Sequence, residues 1–239
     1  MKPDDSSYLG TPVPNWVPPV APVGVPLTGQ YAALEKLDAN RHAGSLYRAY
    51  EGSDAVWDYM PYGPFSSVDF YQSWMLEAVL DPETLFYAIR NLETGRWEGV
   101  ASYLRISTQN GSVEVGHINY SPALQRTRAA TEAMYMMMDW AFAKGYRRYE
   151  WKCNALNMRS RRAAQRLGFS FEGVFRQATV VKGRNRDTAW FAIIDSEWPA
   201  LKTAFETWLA PSNFDASGNQ IQRLGDLTQV VRVASDPDL

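Results

Sequence analysis

Along the chain, apolar and polar positions switch repeatedly between strand-like and helix-like spacing, and each switch marks an element. Gln30 to Leu37 reads as a strand. Asn40 to Tyr50 reads as a helix, with Asp38 or Asn40 available as its cap. In Ser67 to Leu80, Phe70, Trp74, Ala78 and Val79 recur at helix spacing, and Ser67 or Asp69 can cap the helix. Leu85 to Asn91 and Trp97 to Ser107 read as a strand pair, and Ser112 to Tyr120 follows the hairpin signal Asn110-Gly111. Thr131 to Ala143 is a methionine-rich helix closed by Gly145, and Tyr149 to Cys153 is a short fifth strand. Asn157 to Leu167 is a basic helix closed by Gly168. Phe171 to Val181 and Thr188 to Ile194 form a hairpin, and Ser196 to Leu209 is a last helix. This order predicts an α/β (α+β) fold: a mixed, mostly antiparallel sheet of about seven strands flanked by helices, and not a doubly wound one.

Both ends of the chain differ from this middle. Half of the fourteen prolines fall in the first 26 residues, so residues 1–27 read as an extended proline-rich arm. Its apolar side chains, Trp16, Val17, Val20, Val23 and Val25, predict packing against the domain of residues 28–210. Residues 211–239 are polar and aperiodic, which predicts a weakly ordered tail with a short strand at Val230 to Val233.

Composition narrows the chemistry. The net charge of -2 and 21% charged residues give no reason to expect nucleic acid as a partner. Cys153 is the only cysteine and His42 and His117 the only histidines, so neither a disulfide nor a metal centre is expected. No apolar run is long enough to span a membrane, and Met-Lys-Pro-Asp-Asp at the start lacks an apolar signal core. The expectation is a cytoplasmic protein, monomer or homodimer, with no membrane partner.

The stretch from Val113 to Phe142 carries the most information. It reads as strand, short loop and helix, and a helix N-terminus offers unpaired N–H groups and a positive dipole end to an anion. Arg126 and Arg128 add charge within Gln125 to Thr131. The same residues also read as an ordinary helix start with solvated arginines. Asn157 is suited to cap the next helix, and Gly168 permits a left-handed cap that returns Phe169 to the core.

These segments resemble the acetyl-CoA motifs of the GNAT superfamily, closest to its RimJ/RimL-type branch. Gln125 and Ala130 match the ends of the pattern Gln/Arg-x-x-Gly-x-Gly/Ala, and Thr131-Glu132-Ala133 matches the run that follows. Asn157 to Ser160 and Leu167-Gly168-Phe169 match the Asn-x-x-Ser and Leu-Gly-Phe element. Arg128 stands where the family has glycine, which raises the question of whether a Cβ obstructs the phosphates or the guanidinium clamps one. The resemblance covers about residues 28–200. It implies a GNAT fold with the fourth and fifth predicted strands splayed apart, and acetyl-CoA as co-substrate without a metal.

The resemblance also implies site residues. Backbone groups of Ile118, Asn119 and Tyr120 would pair with the pantetheine arm like an added strand. Gln125, Arg126, Thr127, Arg128, Ala129, Ala130 and Thr131 would hold the pyrophosphate, with Asn157, Ser160 and Arg161 completing the cofactor site. Trp57, Tyr59 and Tyr62 would wall an acceptor pocket for a small-molecule amine or a peptide N-terminus. The family's thiolate-protonating tyrosine falls at Ala164; the resemblance to the RimJ/RimL type, where the serine of Asn-x-x-Ser has that role, implies Ser160 as the donor, and the glutamate some relatives use as base falls at Thr179.

Attack on a thioester needs a free amine, so a proton acceptor is required near the carbonyl. His117 has a suitable ordinary pKa, and Glu114 lies on the same strand. Regular alternation places the two on opposite faces, so one of them is expected to face the cleft. Asp54 and Asp58 are further candidates. His117 equally reads as a hydrogen-bonded strand histidine, Ser160 as a first-turn helix serine and Cys153 as a core residue. The implied activity is N-acetyl transfer to a primary amine; a non-catalytic acyl-CoA-binding domain is the alternative.

Overall fold

The computed structural model describes residues 9–239, so Met1–Asp5 and the rest of the first eight residues of the arm lie outside it. The chain runs β1 (Leu27–Thr28), β2 (Ala32–Lys36), α1 (Ala39–Tyr50), α2 (Val68–Ala78), β3 (Leu85–Asn91), β4 (Arg96–Ser107), β5 (Ser112–Tyr120), α3 (Arg128–Ala143), β6 (Arg148–Asn154), α4 (Met158–Arg166), β7 (Ser170–Val181), β8 (Arg184–Ile194), α5 (Trp198–Leu209) and α6 (Leu224–Thr228). The eight strands form one sheet in the order β1-β2-β3-β4-β5-β6-β8-β7. Every pairing is antiparallel except β5 with β6. The eighth strand is the two-residue β1, which sequence spacing does not reveal; it makes the predicted fourth and fifth strands β5 and β6.

Capping residues set the helix starts. Asp38 accepts from the Arg41 N–H at 2.9 Å, Ser67 from Phe70, and Thr127 from Ala130 at 3.1 Å. The cap at Thr127 starts α3 three residues earlier than periodicity predicts. On α2 the buried side chains are Tyr71 and Met75, while Phe70 is exposed, so the predicted stripe is rotated by about one residue.

The sheet separates two cores. Tyr87, Tyr103, Val113, Val115, Trp151, Cys153, Phe169 and Phe191 pack with α3 and α5 on one face. Phe86, Ala88 and Val100 pack with α1 and α2 on the other. The helices of the first face are held to the sheet's beginning by Glu132 of α3. Its buried carboxylate accepts the backbone N–H groups of Gln30, Tyr31 and Ala32 at 2.6–2.8 Å. A Cβ at Gly29 would collide with that carboxylate, so the chain can pass there only as glycine.

Both ends depart from expectation. The arm is fastened by Trp16, over which Arg147 lies, and by carbonyls: Val20 accepts from the Tyr146 hydroxyl and Val25 from Tyr87. Its valines are mostly exposed rather than packed. The tail is docked, contains α6 and a 3-10 turn at Pro211–Asn213, and has no strand at Val230 to Val233. Phe171 N–H donates to the Ala234 carbonyl, and buried Asp236 pairs with buried Arg161 of α4. Removing one partner of a buried ion pair strands the other charge. Asp236→Ala should therefore lower stability by about 3 kcal/mol in urea unfolding.

Candidate active site

β5 and β6 pair only over Ser112–Val115 and Arg148–Trp151, and then part. The parting coincides with a bulge in β5. Its register with β4 shifts between Gly116 and Asn119, and His117 takes φ +48, a left-handed conformation rare in a strand. The bulge corrects the expectation from alternation. Glu114 and His117 lie on the same face, the α1/α2 side, while Val113 and Val115 face α3. Asn119 shares the face of Glu114 and His117, opposite Val100. It is 2% exposed, and its Nδ2 has no hydrogen-bond partner.

His117 is fixed by aromatic neighbours. Its Nδ1 lies 3.1 Å from the Tyr62 hydroxyl, the Tyr62 ring stacks on it, and Phe86 lies 5.0 Å away. Burial, reinforced by the charge of Arg105, pushes its pKa down to about 4, so the imidazole is neutral near pH 7. Glu114 is buried between two cations: Arg105 donates to both carboxylate oxygens at 2.8 Å and Lys152 reaches it at 2.9 Å. Burial still leaves its pKa raised. With every near cation engaged on it, Glu114 is a structural counter-charge. Asp54 and Asp58 are exposed on the α1–α2 segment.

Where α3 begins, the N–H groups of Arg126, Arg128 and Ala129 donate to no acceptor among the described residues. Arg126 takes φ +64. Gln125 turns its amide back onto the Tyr120 carbonyl at 2.9 Å, fixing the loop between β5 and α3. Arg128 answers the question its position raised. Its guanidinium turns away, pairs with Glu93 at 2.5 Å and lies over the rings of Tyr31 and Phe214. Its backbone is thus left facing the loop while its charge is engaged by Glu93. Ala130 and Thr131 are the next turn, their N–H groups already bonded to Thr127.

Across the gap, Asn157 accepts the Ser160 N–H at 3.1 Å, and Ser160 Oγ accepts the Trp151 indole N–H at 3.0 Å. That bond orients the serine hydroxyl, whose other polar neighbour is the Cys153 thiol. Cys153 is buried beside it, with its thiol pKa raised by burial. Arg161 is committed elsewhere: to Asp236, to Asp238 at 2.8 Å and to the Ala155 carbonyl. It braces the loop before α4 and is not available to an external phosphate in this arrangement.

The acceptor-side residues divide in the same way. Tyr62 reaches the site through His117. Tyr59 is partly exposed, and its hydroxyl donates to the Leu156 carbonyl at 3.2 Å. Trp57 is core, packed against Tyr50, Phe65 and Tyr71, and only its carbonyl serves the cleft by accepting from Lys182 at 2.9 Å. The contacts of Tyr59 and Lys182 close the α1–α2 segment and the β7–β8 hairpin over the gap. At the opposite end of β5, a cavity of about 620 Å³ lies between residues 21–23 of the arm, residues 79–84 and residues 105–108. Phe86 and Arg105 belong both to this cavity and to the surroundings of His117.

The sequence reading missed Arg105, Lys152 and Arg186 around this face. For Lys152 a signal existed: in β6, Glu150 and Lys152 alternate with Tyr149, Trp151 and Cys153, which puts an ion pair on one face. Among the described residues no cluster of three or more metal-binding side chains occurs, and no helix is long and apolar enough to cross a membrane.

Residues 33–170 match the family described as the acetyltransferase (GNAT) domain, which is more than half of the chain. The chain belongs to the GNAT acetyltransferase family. A GCN5-related N-acetyltransferase from Brucella melitensis is 42% identical over 91% of this chain and 100% of its own, with a TM-score of 0.88. A probable GNAT acetyltransferase from Chromobacterium violaceum ATCC 12472 is 41% identical over 80% of this chain and 96% of its own, with a TM-score of 0.76. The ribosomal-protein-S5-alanine acetyltransferase from Vibrio fischeri shares the fold, at 16% identity over 73% and 98% of the two chains and a TM-score of 0.59. No curated protein matches the chain. Family membership makes this GNAT protein an acetyltransferase whose co-substrate is acetyl-CoA.

The neutral state of His117 has a sign that can be checked. Its folded pKa lies below the ordinary value of 6.5, so between about pH 6.5 and 4 the unfolded chain binds more protons than the folded one. The stability that neutral burial provides is present above pH 6.5 and is lost as pH falls toward 4. NMR titration should place the His117 midpoint near pH 4, and His117→Phe should flatten the fall in stability between pH 6.5 and 4.

Proposed function

We propose that this protein is an N-acetyltransferase that moves an acetyl group from acetyl-CoA directly to a primary amine in a ternary complex. The amine belongs to a small molecule, an amino acid or a peptide N-terminus. One observation carries the reading: the parted edge of β5 leads straight to a helix start with three unpartnered N–H groups. A pantetheine arm fits the first as an added strand, and a pyrophosphate fits the second as an anion on a helix N-terminus. Acetyl-CoA supplies the activated acetyl group.

The chain's own residues then divide the remaining work. Ile118, Asn119 and Tyr120 present the open edge. The N–H groups of Arg126, Arg128 and Ala129 hold the phosphates. Neutral His117, oriented by Tyr62, accepts a hydrogen bond from the incoming amine through its other nitrogen. Ser160, oriented by Trp151, passes a proton to the departing sulfur and regains one from the nitrogen of the tetrahedral intermediate, so that the proton lost by the amine ends on the CoA thiol. Asn157 fixes the turn that carries Ser160. Positioning of the two reactants supplies much of the acceleration.

The backbone origin of phosphate binding is directly testable. Thr127 is extended, with φ -90 and ψ 165, and Arg128 is the first helical residue, so proline is sterically acceptable at position 128. Arg128→Ala removes the guanidinium and should leave acetyl-CoA affinity within about threefold. Arg128→Pro also removes one N–H and should weaken binding by about tenfold or more, since hydrogen bonds to charged groups contribute about 1.5–3 kcal/mol. Calorimetry on the two variants decides it; equal weakening by both would assign the binding to the side chain.

A further inference from the structure

On the face of the sheet that carries His117, one cation stands apart. Arg186 of β8 alternates with Thr188 and Trp190 onto this face, since Ala189 and Phe191 pack into the opposite core. It lies on the β7–β8 hairpin whose turn residue Lys182 reaches the Trp57 carbonyl. Half-buried, its side chain makes no ion pair or hydrogen bond among the described residues, and its Nε is buried without a partner. Burying a cation without a counter-charge is unfavourable, so a fold keeps one where a ligand completes the pair. The charge of Glu114 acts on it from a distance, but Glu114 makes no contact with it, its oxygens being held by Arg105 and Lys152.

Three further buried atoms on the same face lack hydrogen-bond partners among the described residues: Asn119 Nδ2, Trp190 Nε1 and the Tyr71 hydroxyl. Arg186 Nε, Asn119 Nδ2 and Trp190 Nε1 can only donate, and the hydroxyl can donate as well. What is missing is therefore a ligand rich in acceptor oxygens. The helix start that fits the pyrophosphate belongs to α3, which packs on the other face of the sheet, so these donors are not accounted for by the cofactor's phosphates. Resting on the acetyltransferase reading above, we propose that the acceptor amine carries an anionic group, a carboxylate or a phosphate, close to its nitrogen, and that Arg186 binds that group. The guanidinium fork matches either anion. Arg186 and His117 lie on the same face of the sheet, so one acceptor molecule can present its anion to the first and its amine to the second.

The test uses the full chain and matched amines: an α-amino acid against its amide, and O-phosphoethanolamine against ethanolamine. Release of CoA is followed with wild type, Arg186→Leu and Arg186→Lys. In at least one pair the acidic member should exceed its neutral twin at least tenfold in kcat/KM, and that pair identifies carboxylate or phosphate. Arg186→Leu should erase the preference through KM, and Arg186→Lys should restore part of it. Arg186→Leu should also melt no lower than wild type, since it removes a cation without a contacting counter-charge. Preference for the neutral twins overturns the proposal, as does an equal loss in Arg186→Leu for both members of a pair, which would place Arg186 on the departing thiolate. Turnover of no acidic amine overturns it too. Calorimetry with acetyl-CoA then separates the two claims: cofactor binding without such turnover leaves the family chemistry standing, and no binding removes both.

Discussion

The site depends on an unfinished strand pairing. β5 and β6 exchange hydrogen bonds over four residues and then separate, leaving backbone groups inside a sheet where such groups are normally paired. A gap of this kind persists only if the surrounding structure holds the strands apart. Here the bulge at His117 bends β5 away, and Asn157 turns the chain into α4 directly after β6. The α3 start, held by the Thr127 cap, lies where β5 ends. Moving His117 out of its left-handed conformation would restore alternation and disperse Glu114, His117 and Asn119 between the two faces.

Around that gap, charge is organised by burial rather than by net charge. Glu114 gathers Arg105 and Lys152, and Lys152 also meets Glu150 and the Trp190 ring at 3.8 Å. This network balances itself and keeps the wall of the cleft rigid. His117, pushed to the neutral state, and Arg186, left without a partner, are the two groups that the network does not absorb. A neutral acceptor and a cation without a contacting counter-charge on one face suit an amine that brings its own anion.

Much of the fold was legible because local signals are strong. Asp38, Ser67 and Asn157 cap where their short polar side chains predict, and Gly168 closes α4 with φ +94. The start of α3 was legible to within a turn, the Thr127 cap placing it at Arg128 rather than Thr131. What escaped was set by tertiary contact. No residue type marks a bulge at His117, so alternation misplaced Glu114. Arg128 looked like a phosphate ligand until Glu93 and the Tyr31 and Phe214 rings, from distant segments, claimed its side chain. Arg161 was claimed by Asp236, 75 positions away, and that pair turned an expected loose tail into part of the α4 surface. Trp57 moved from pocket wall to core because four aromatic neighbours enclose it.

The central claim is that the parted edge of β5 is where the co-substrate lies, completing the sheet as an added strand. Amide hydrogen exchange, read residue by residue with and without saturating acetyl-CoA, tests it most directly. The account predicts that exchange at Ile118 or Tyr120 slows at least tenfold on binding, while Val113 and Val115, already within the sheet, change little. Binding that leaves the Gly116 to Tyr120 amides unprotected would contradict it.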